Sequence, residues 1–270
     1  MASNSQRASK RPKRAAALSA RGWVTRRNAV LAWWVALLWF AAINLYPVSS
    51  GLTRSAGVLL AGLLAIGLLG LWWRYRFLRW SLLVLYTAVG IFAVLPGRSG
   101  YDREALRLET TRALQRYRGV GYYWGGEGFL GIDCSGLVRR GAIDAMALYG
   151  IRTANPLLVR KAIALWWHDM SAEELGRGAS GLAEKEVAIK AIAGTDESKL
   201  HLHPGDFAIS ENGTHALAYL GNRQWIEADP TEGRVIELNA SSGKQNPWFH
   251  QGMVILRWRH LELEKAVGRR

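Results

Sequence analysis

Three apolar runs without acidic residues crowd the stretch from Ala29 to Leu95, and no water-facing surface tolerates them. Ala29–Val48 offers about 20 uncharged residues, enough to cross a hydrocarbon core of about 30 Å at about 1.5 Å per residue. Ala56–Trp73 is a second such run. Phe77–Leu95 is a third, provided Arg79 snorkels to the interface so that the apolar part begins at Trp80. Trp33, Trp34, Trp72, Trp73 and Trp80 lie in or near the ends of these runs, where amphipathic rings favour the headgroup region. Residues 29–97 are therefore expected to form a membrane anchor of three helices, at about 29–48, 56–73 and 77–95. Gly57, Ala61 and Ala65 recur at four-residue spacing, which lets a helix approach a neighbour closely.

Charge is distributed as unevenly as hydropathy. The first 101 residues hold 13 Lys and Arg and no acidic residue, whereas the remainder holds 22 basic against 21 acidic, so the net +14 is an N-terminal property. Eight cations precede the first run, from Arg7 to Arg27, and Arg74, Arg76 and Arg79 separate the second from the third, while the first loop has only Arg54. Keeping Lys and Arg on the cytoplasmic side makes residues 1–28 a basic cytoplasmic tail. It also sends everything after Leu95 to the periplasm or cell exterior, anchored in the inner (cytoplasmic) membrane. Thr25-Arg26-Arg27 faintly resembles a twin-arginine export signal, but the run is long for a removable segment and no small-residue cleavage site follows, which favours a retained span. The tail lacks interleaved aromatics, and topology and anionic lipid account for its charge, so a nucleic-acid partner is not expected. The lipid bilayer is the expected partner of this half. Whether the spans also assemble with a membrane partner or a second copy is not written in the sequence.

Beyond the anchor the texture changes. Asp102–Arg118 is polar with Leu106, Leu108 and Leu114 interspersed, a pattern for an amphipathic linker helix over about 98–118. A glycine-dense stretch, Gly119–Gly131, follows, and then Asp133-Cys134-Ser135-Gly136 opens a run with helical spacing. Residues 150–200 read as mostly helical, with Pro156–Trp167 one segment and Ser171–Glu174 a capping box opening another. From Pro204 onward the period is that of strands, at 206–210, 215–220, 224–228, 234–238 and 252–260, broken by Asn and Gly, which predicts an antiparallel meander. The sum is an α+β architecture with a cysteine-bearing helix and a sheet.

Cys134 is the chain's only cysteine, so an internal disulfide is excluded. A cysteine at a helix start gains from unpaired N–H groups and the dipole, which favour the thiolate and make it a nucleophile rather than a small core hydrophobe. A thiolate needs a base, and six histidines are available: His168, His201, His203, His215, His250 and His260. Sequence alone separates them poorly. His215 starts a strand after the Asn212-Gly213 turn, and Glu227 lies twelve residues on in the next strand, where a hairpin could set it beside the imidazole. A solvated strand carboxylate is the competing account of Glu227. No metal-ligand spacing is present, so no metal and no cofactor are expected.

Tyr122-x-Trp124-Gly125-Gly126, Asp133-Cys134-Ser135-Gly136-Leu137, Pro204-Gly205-Asp206 and His215-x-x-x-Tyr219-Leu220-Gly221, in that order, resemble the NlpC/P60-type cell-wall cysteine peptidases over roughly residues 110–260. The resemblance implies a papain-like α+β domain, here at 119–260 followed by a tail at 261–270, that cleaves peptide stems of peptidoglycan. It implies Cys134 as nucleophile, His215 as base and Tyr122 as oxyanion donor. Trp124, Gly125, Asp133 and Ser135 fall where substrate is bound, and Asp133 is expected to cap the helix rather than react. The third polar position, usually His, falls on Glu227, with Asp229 as the fallback orienter. The Cys134-to-His215 separation is longer than usual in that family, which marks 150–200 as a helical insertion. Two other functions fit the same residues: a thiol acyltransferase or thioesterase on a lipid-linked substrate, and an inactive wall-binding scaffold.

Overall fold

The structure, a computed structural model, describes residues 5–195, 199–241 and 246–262; most of the expected C-terminal tail lies outside them. The chain divides into two compact units.

The first unit comprises residues 1–44 and 52–90. Its helices are α1 (Ser5–Leu45), α2 (Gly51–Trp72) and α3 (Arg76–Val94), the last running on into the second unit. Each contains a segment long and apolar enough to cross a membrane: Thr25–Leu45, Gly51–Trp72 and Arg76–Val94. The first ends three residues before the expected limit at Val48, because Pro47 cannot continue a helix and biases its predecessor out of the helical region. Within this unit Trp33 Nε1 donates to the Leu64 carbonyl at 3.0 Å and Tyr86 donates to the Ala65 carbonyl at 3.0 Å, so Trp33 joins two helices instead of serving only as an interface anchor.

The second unit comprises residues 45–51 and 91–270. Its helices are α4 (Arg103–Gln115), α5 (Cys134–Arg152), α6 (Pro156–Trp167) and the short α7 (Ala172–Gly176). A two-stranded ribbon, β1 (Glu127–Gly128) with β2 (Gly131–Ile132), precedes α5. The main sheet contains β3 (Ala183–Ile189), β4 (Phe207–Ser210), β5 (Ala216–Gly221), β6 (Gln224–Asp229), β7 (Arg234–Asn239) and β8 (Met253–Trp258) in the order β3-β8-β4-β5-β6-β7, with every pairing antiparallel.

Alternation along the strands explains why both faces of this sheet are covered. Phe207, Ile209, Ala216 and Ala218 point into the cluster under α4 and α5, while Ala208, Leu217 and Tyr219 point into a second cluster with Phe249 and Ile255. Helix α5 lies in the first cluster through Leu137, Val138, Ala142, Ala145 and Met146.

Three expectations change here. Helix α4 is no linker: Leu106, Ala113 and Leu114 are buried in the main cluster, and its Arg107 donates to the Leu261 carbonyl and lies 3.7 Å from Asp206. The 150–200 segment is not wholly helical, since β3 forms the edge of the main sheet against β8. Its sequence AEKEVAI is charge-rich because an edge strand has one side open, so its middle residues are exposed and the alternation that marks a strand is weak. Finally, the sheet is a meander only from β4 to β7, because β8 returns beside β4.

Candidate active site

Asp133 organises the Cys134 end of α5. It is the N-cap, accepting through Oδ1 from the Gly136 amide at 2.6 Å and from Ser135 Oγ at 2.9 Å. Its Oδ2 accepts from the Gly125 amide at 2.9 Å, which ties the glycine loop to the helix tip. Gly125 takes φ +71°, a conformation that L side chains rarely adopt, and a Cβ on Gly126 would sit 2.5 Å from the Gly131 carbonyl oxygen. The expected substrate-binding residues Asp133 and Ser135 are thus bonded to one another, and Gly125 is committed to Asp133.

Cys134 follows as the first residue of α5, buried at 7% exposure yet lining an open cleft of about 860 Å³. The amides of Ala216, Ser135 and Cys134 itself hydrogen-bond to the sulfur and favour its ionised form. Burial, first, and the Asp133 carboxylate, second, act the other way and win, pushing the thiol up to about 12. The helix tip is real, but burial and the Asp133 carboxylate oppose it and raise the thiol.

His215 precedes β5 and lines the same cleft, next in sequence to Ala216, whose amide favours the ionised sulfur. Its Nε2 lies 2.5 Å from Glu227 Oε2, and both side chains are 1% exposed. Nδ1 is the ring nitrogen that Glu227 does not engage. The other histidines lie elsewhere: His168 binds the Ala164 carbonyl at the end of α6, His260 is buried, and none of His168, His201, His203, His250 or His260 lines the cleft.

Glu227 sits on β6 and is fully buried, not solvated. Asp229, the alternative orienter, accepts instead from the amides of Thr231 and Glu232 at the β6–β7 turn, at 2.6 and 3.3 Å. Tyr122 is half-buried at the mouth, where burial, then the Cys134, Asp133 and Asp229 charges, push its hydroxyl up to about 12, so it remains a neutral donor. Trp124 forms part of the rim and is 80% exposed.

Sequence inspection missed three contributors. Asn246 donates through Nδ2 to Glu227 Oε1, and Trp248 stacks on His215 with ring centroids 3.9 Å apart and planes 14° apart. Asn246 before Pro247 is a helix-start signature that could have flagged the turn, whereas nothing local marks Trp248. Third, residues 47–50 reach the site: Pro47 O accepts from the Glu127 amide at 3.0 Å, Val48 bridges Gly126, and Val48, Ser49 and Ser50 line the cleft. No group of three or more His, Cys, Asp or Glu suited to a metal ion occurs among the described residues.

A cysteine at a helix tip, packed against an antiparallel sheet that carries the histidine and its carboxylate, defines the papain-like α+β class. The NlpC/P60 family model matches residues 119–254, and the chain belongs to the NlpC/P60 family. Among solved structures the chain is similar to NlpC1 from Trichomonas vaginalis, at 17% identity and a TM-score of 0.33 over 54% of this chain and 42% of that one. It is also similar to the NlpC/p60 domain of the peptidoglycan hydrolase SagA, at 20% identity and a TM-score of 0.32 over 55% of this chain and 97% of that one. The peptidoglycan hydrolase RipB from Mycobacterium tuberculosis matches at 20% identity and a TM-score of 0.35 over 59% of this chain and 72% of that one. The chain spans less than half the length of the Trichomonas protein. No curated protein matches the sequence.

Proposed function

We propose that this protein is a membrane-anchored cysteine hydrolase that cleaves amide bonds in the peptide stems of peptidoglycan through a Cys134–His215–Glu227 triad. The observation that carries the proposal is the shared cleft: Cys134, His215 and Tyr122 all line it, in a chain of the NlpC/P60 family. The relatives described as peptidoglycan hydrolases supply the substrate class.

The chemistry follows from the bonding. Glu227 on Nε2 leaves Nδ1 of His215 free to accept the Cys134 proton as the sulfur attacks the amide carbonyl. The imidazolium that forms is stabilised by the buried carboxylate. Charge on the carbonyl oxygen is met by the Cys134 backbone N–H and the Tyr122 hydroxyl, a kind of donor worth about 3–4 kcal/mol in the barrier. His215 then protonates the departing amine, and water hydrolyses the thioester. The three apolar helices support anchoring in the cytoplasmic membrane, and the cation distribution favours an N-terminus inside and a catalytic domain outside.

The test is incubation of the full-length protein, in detergent micelles, with purified muropeptides beside a Cys134→Ala control. Stem-peptide cleavage that the control lacks supports the proposal; cleavage by neither, or equally by both, rejects it.

A further inference from the structure

The segment 246–248 grips the proposed acid–base pair from two sides, although it lies seventeen residues or more beyond β6 in the chain. Asn246 Nδ2 donates to Oε1 of Glu227, the oxygen that His215 does not use. Its Oδ1 accepts from the Trp248 amide at 2.8 Å, which caps the short 3-10 turn Pro247–His250. That cap fixes the indole of Trp248 against the imidazole face of His215. One asparagine thus holds the carboxylate with its nitrogen and, through its oxygen, the ring that covers the histidine. Asn246 is itself buried.

We infer that Asn246 is a positioning residue of the hydrolase. By occupying Oε1 it fixes the plane of the Glu227 carboxylate, so that Oε2 alone faces Nε2 and Nδ1 stays directed to the cleft. A buried carboxylate oxygen stripped of its donor holds negative charge less well, and the imidazolium it supports is weakened with it. The other titratable groups at this end of the sheet are Cys134 and Asp133 from the start of α5, Tyr122 from the glycine loop and Asp229 from β6, while His250 on the capped turn is exposed. None of these is hydrogen-bonded to Glu227 among the described residues.

The inference rests on the proposed thiol–imidazole pair but not on the substrate, so it can be tested without peptidoglycan. Because Cys134 is the only cysteine, its alkylation by iodoacetamide in the full-length protein can be followed by intact mass as a function of pH. Two variants are compared: Asn246→Ser, which keeps a good capping side chain but is too short to reach Glu227, and Asn246→Gly, which a cap position also tolerates. Both leave a buried carboxylate oxygen without its donor and are expected to melt a few degrees below the wild type while remaining folded, to alkylate about tenfold more slowly near neutral pH, the effect of about one pKa unit, and to converge on the wild type as alkali deprotonates the sulfur directly. A structural loss would slow the reaction at every pH. Wild-type profiles in whichever variant folds would overturn the role of Asn246. A wild-type profile that His215→Ala leaves unchanged would overturn the reacting pair itself, and the positioning role with it.

Discussion

His215 Nε2 and Glu227 Oε2 lie 2.5 Å apart, and neither side chain is more than 1% exposed. A charge-assisted bond in such surroundings is strong, and losing one partner leaves the other buried without its counterpart. The ring's direction is therefore held from β6. Glu227→Gln keeps the shape but removes the charge that an imidazolium needs. It is expected to lower kcat/KM by about 10²- to 10⁴-fold, the usual contribution of acid–base catalysis, with little change in KM, as read by steady-state muropeptide cleavage.

Tyr122 is a neutral donor across the working pH range because burial and three neighbouring acidic groups push its hydroxyl up to about 12. Tyr122→Phe deletes that donor and little volume. Stopped assays on the same substrate should show kcat down by about 10²- to 10³-fold with KM within a few-fold, the pattern of an interaction made in the transition state.

The 47–50 segment lies outside the matched family region yet bonds to the ribbon that precedes the nucleophile helix. A fragment beginning at residue 91 would leave the Glu127 amide, on a residue 8% exposed, without the Pro47 carbonyl. An unsatisfied buried donor costs about 1–3 kcal/mol. The fragment should accordingly melt several degrees below the same unit in the full chain by differential scanning fluorimetry, and show a raised KM because one wall of the cleft is missing.

His260 is buried beside Trp258, and burial, reinforced by Lys161 and Arg107, pushes its pKa down to about 3 from an ordinary 6.5. The folded state holds the ring neutral, while the unfolded chain takes up a proton below about pH 6.5. More protons on the unfolded side means that stability rises with pH. The contribution of this site is present in full above the unfolded pKa and is lost as pH falls from about 6.5 toward about 3, at roughly 1.4 kcal/mol per pH unit for one proton. Urea unfolding at several pH values should show this slope in the wild type and a shallower one in His260→Phe.

How much of this was legible in the sequence depended on whether the signal was local. The three helices apolar enough to cross a membrane, the Asp133–Cys134 helix start, the Ser171–Glu174 capping box and the β4–β7 strands announce themselves through hydropathy, caps and turns. Strand β3 did not, because an edge strand whose five middle residues, charged and apolar alike, are all exposed loses its alternation. Asn246 and Trp248 were hidden for a different reason: their roles exist only once the chain brings residue 246 back to residue 227. The burial of Cys134 was likewise invisible, since a helix tip can be read from spacing but the desolvation that opposes it cannot.

The glycine loop illustrates the boundary between the two kinds of information. Its density of glycines predicts close backbone approach, and Gly126 packed against the Gly131 carbonyl fulfils that. That the Asp133 carboxylate would join the loop to the helix, and that Val48 would bridge to it, required the fold.

The central claim is that the Cys134 sulfur attacks the stem peptide with His215 as its base, and the acyl-enzyme is the species that tests it. Full-length protein mixed with muropeptide and quenched in acid within one turnover should carry, by intact mass, the acyl portion of the peptide as a thioester on Cys134, and His215→Ala should fail to accumulate it. Turnover that persists in Cys134→Ala, or an adduct mapped to any other residue, would contradict the account.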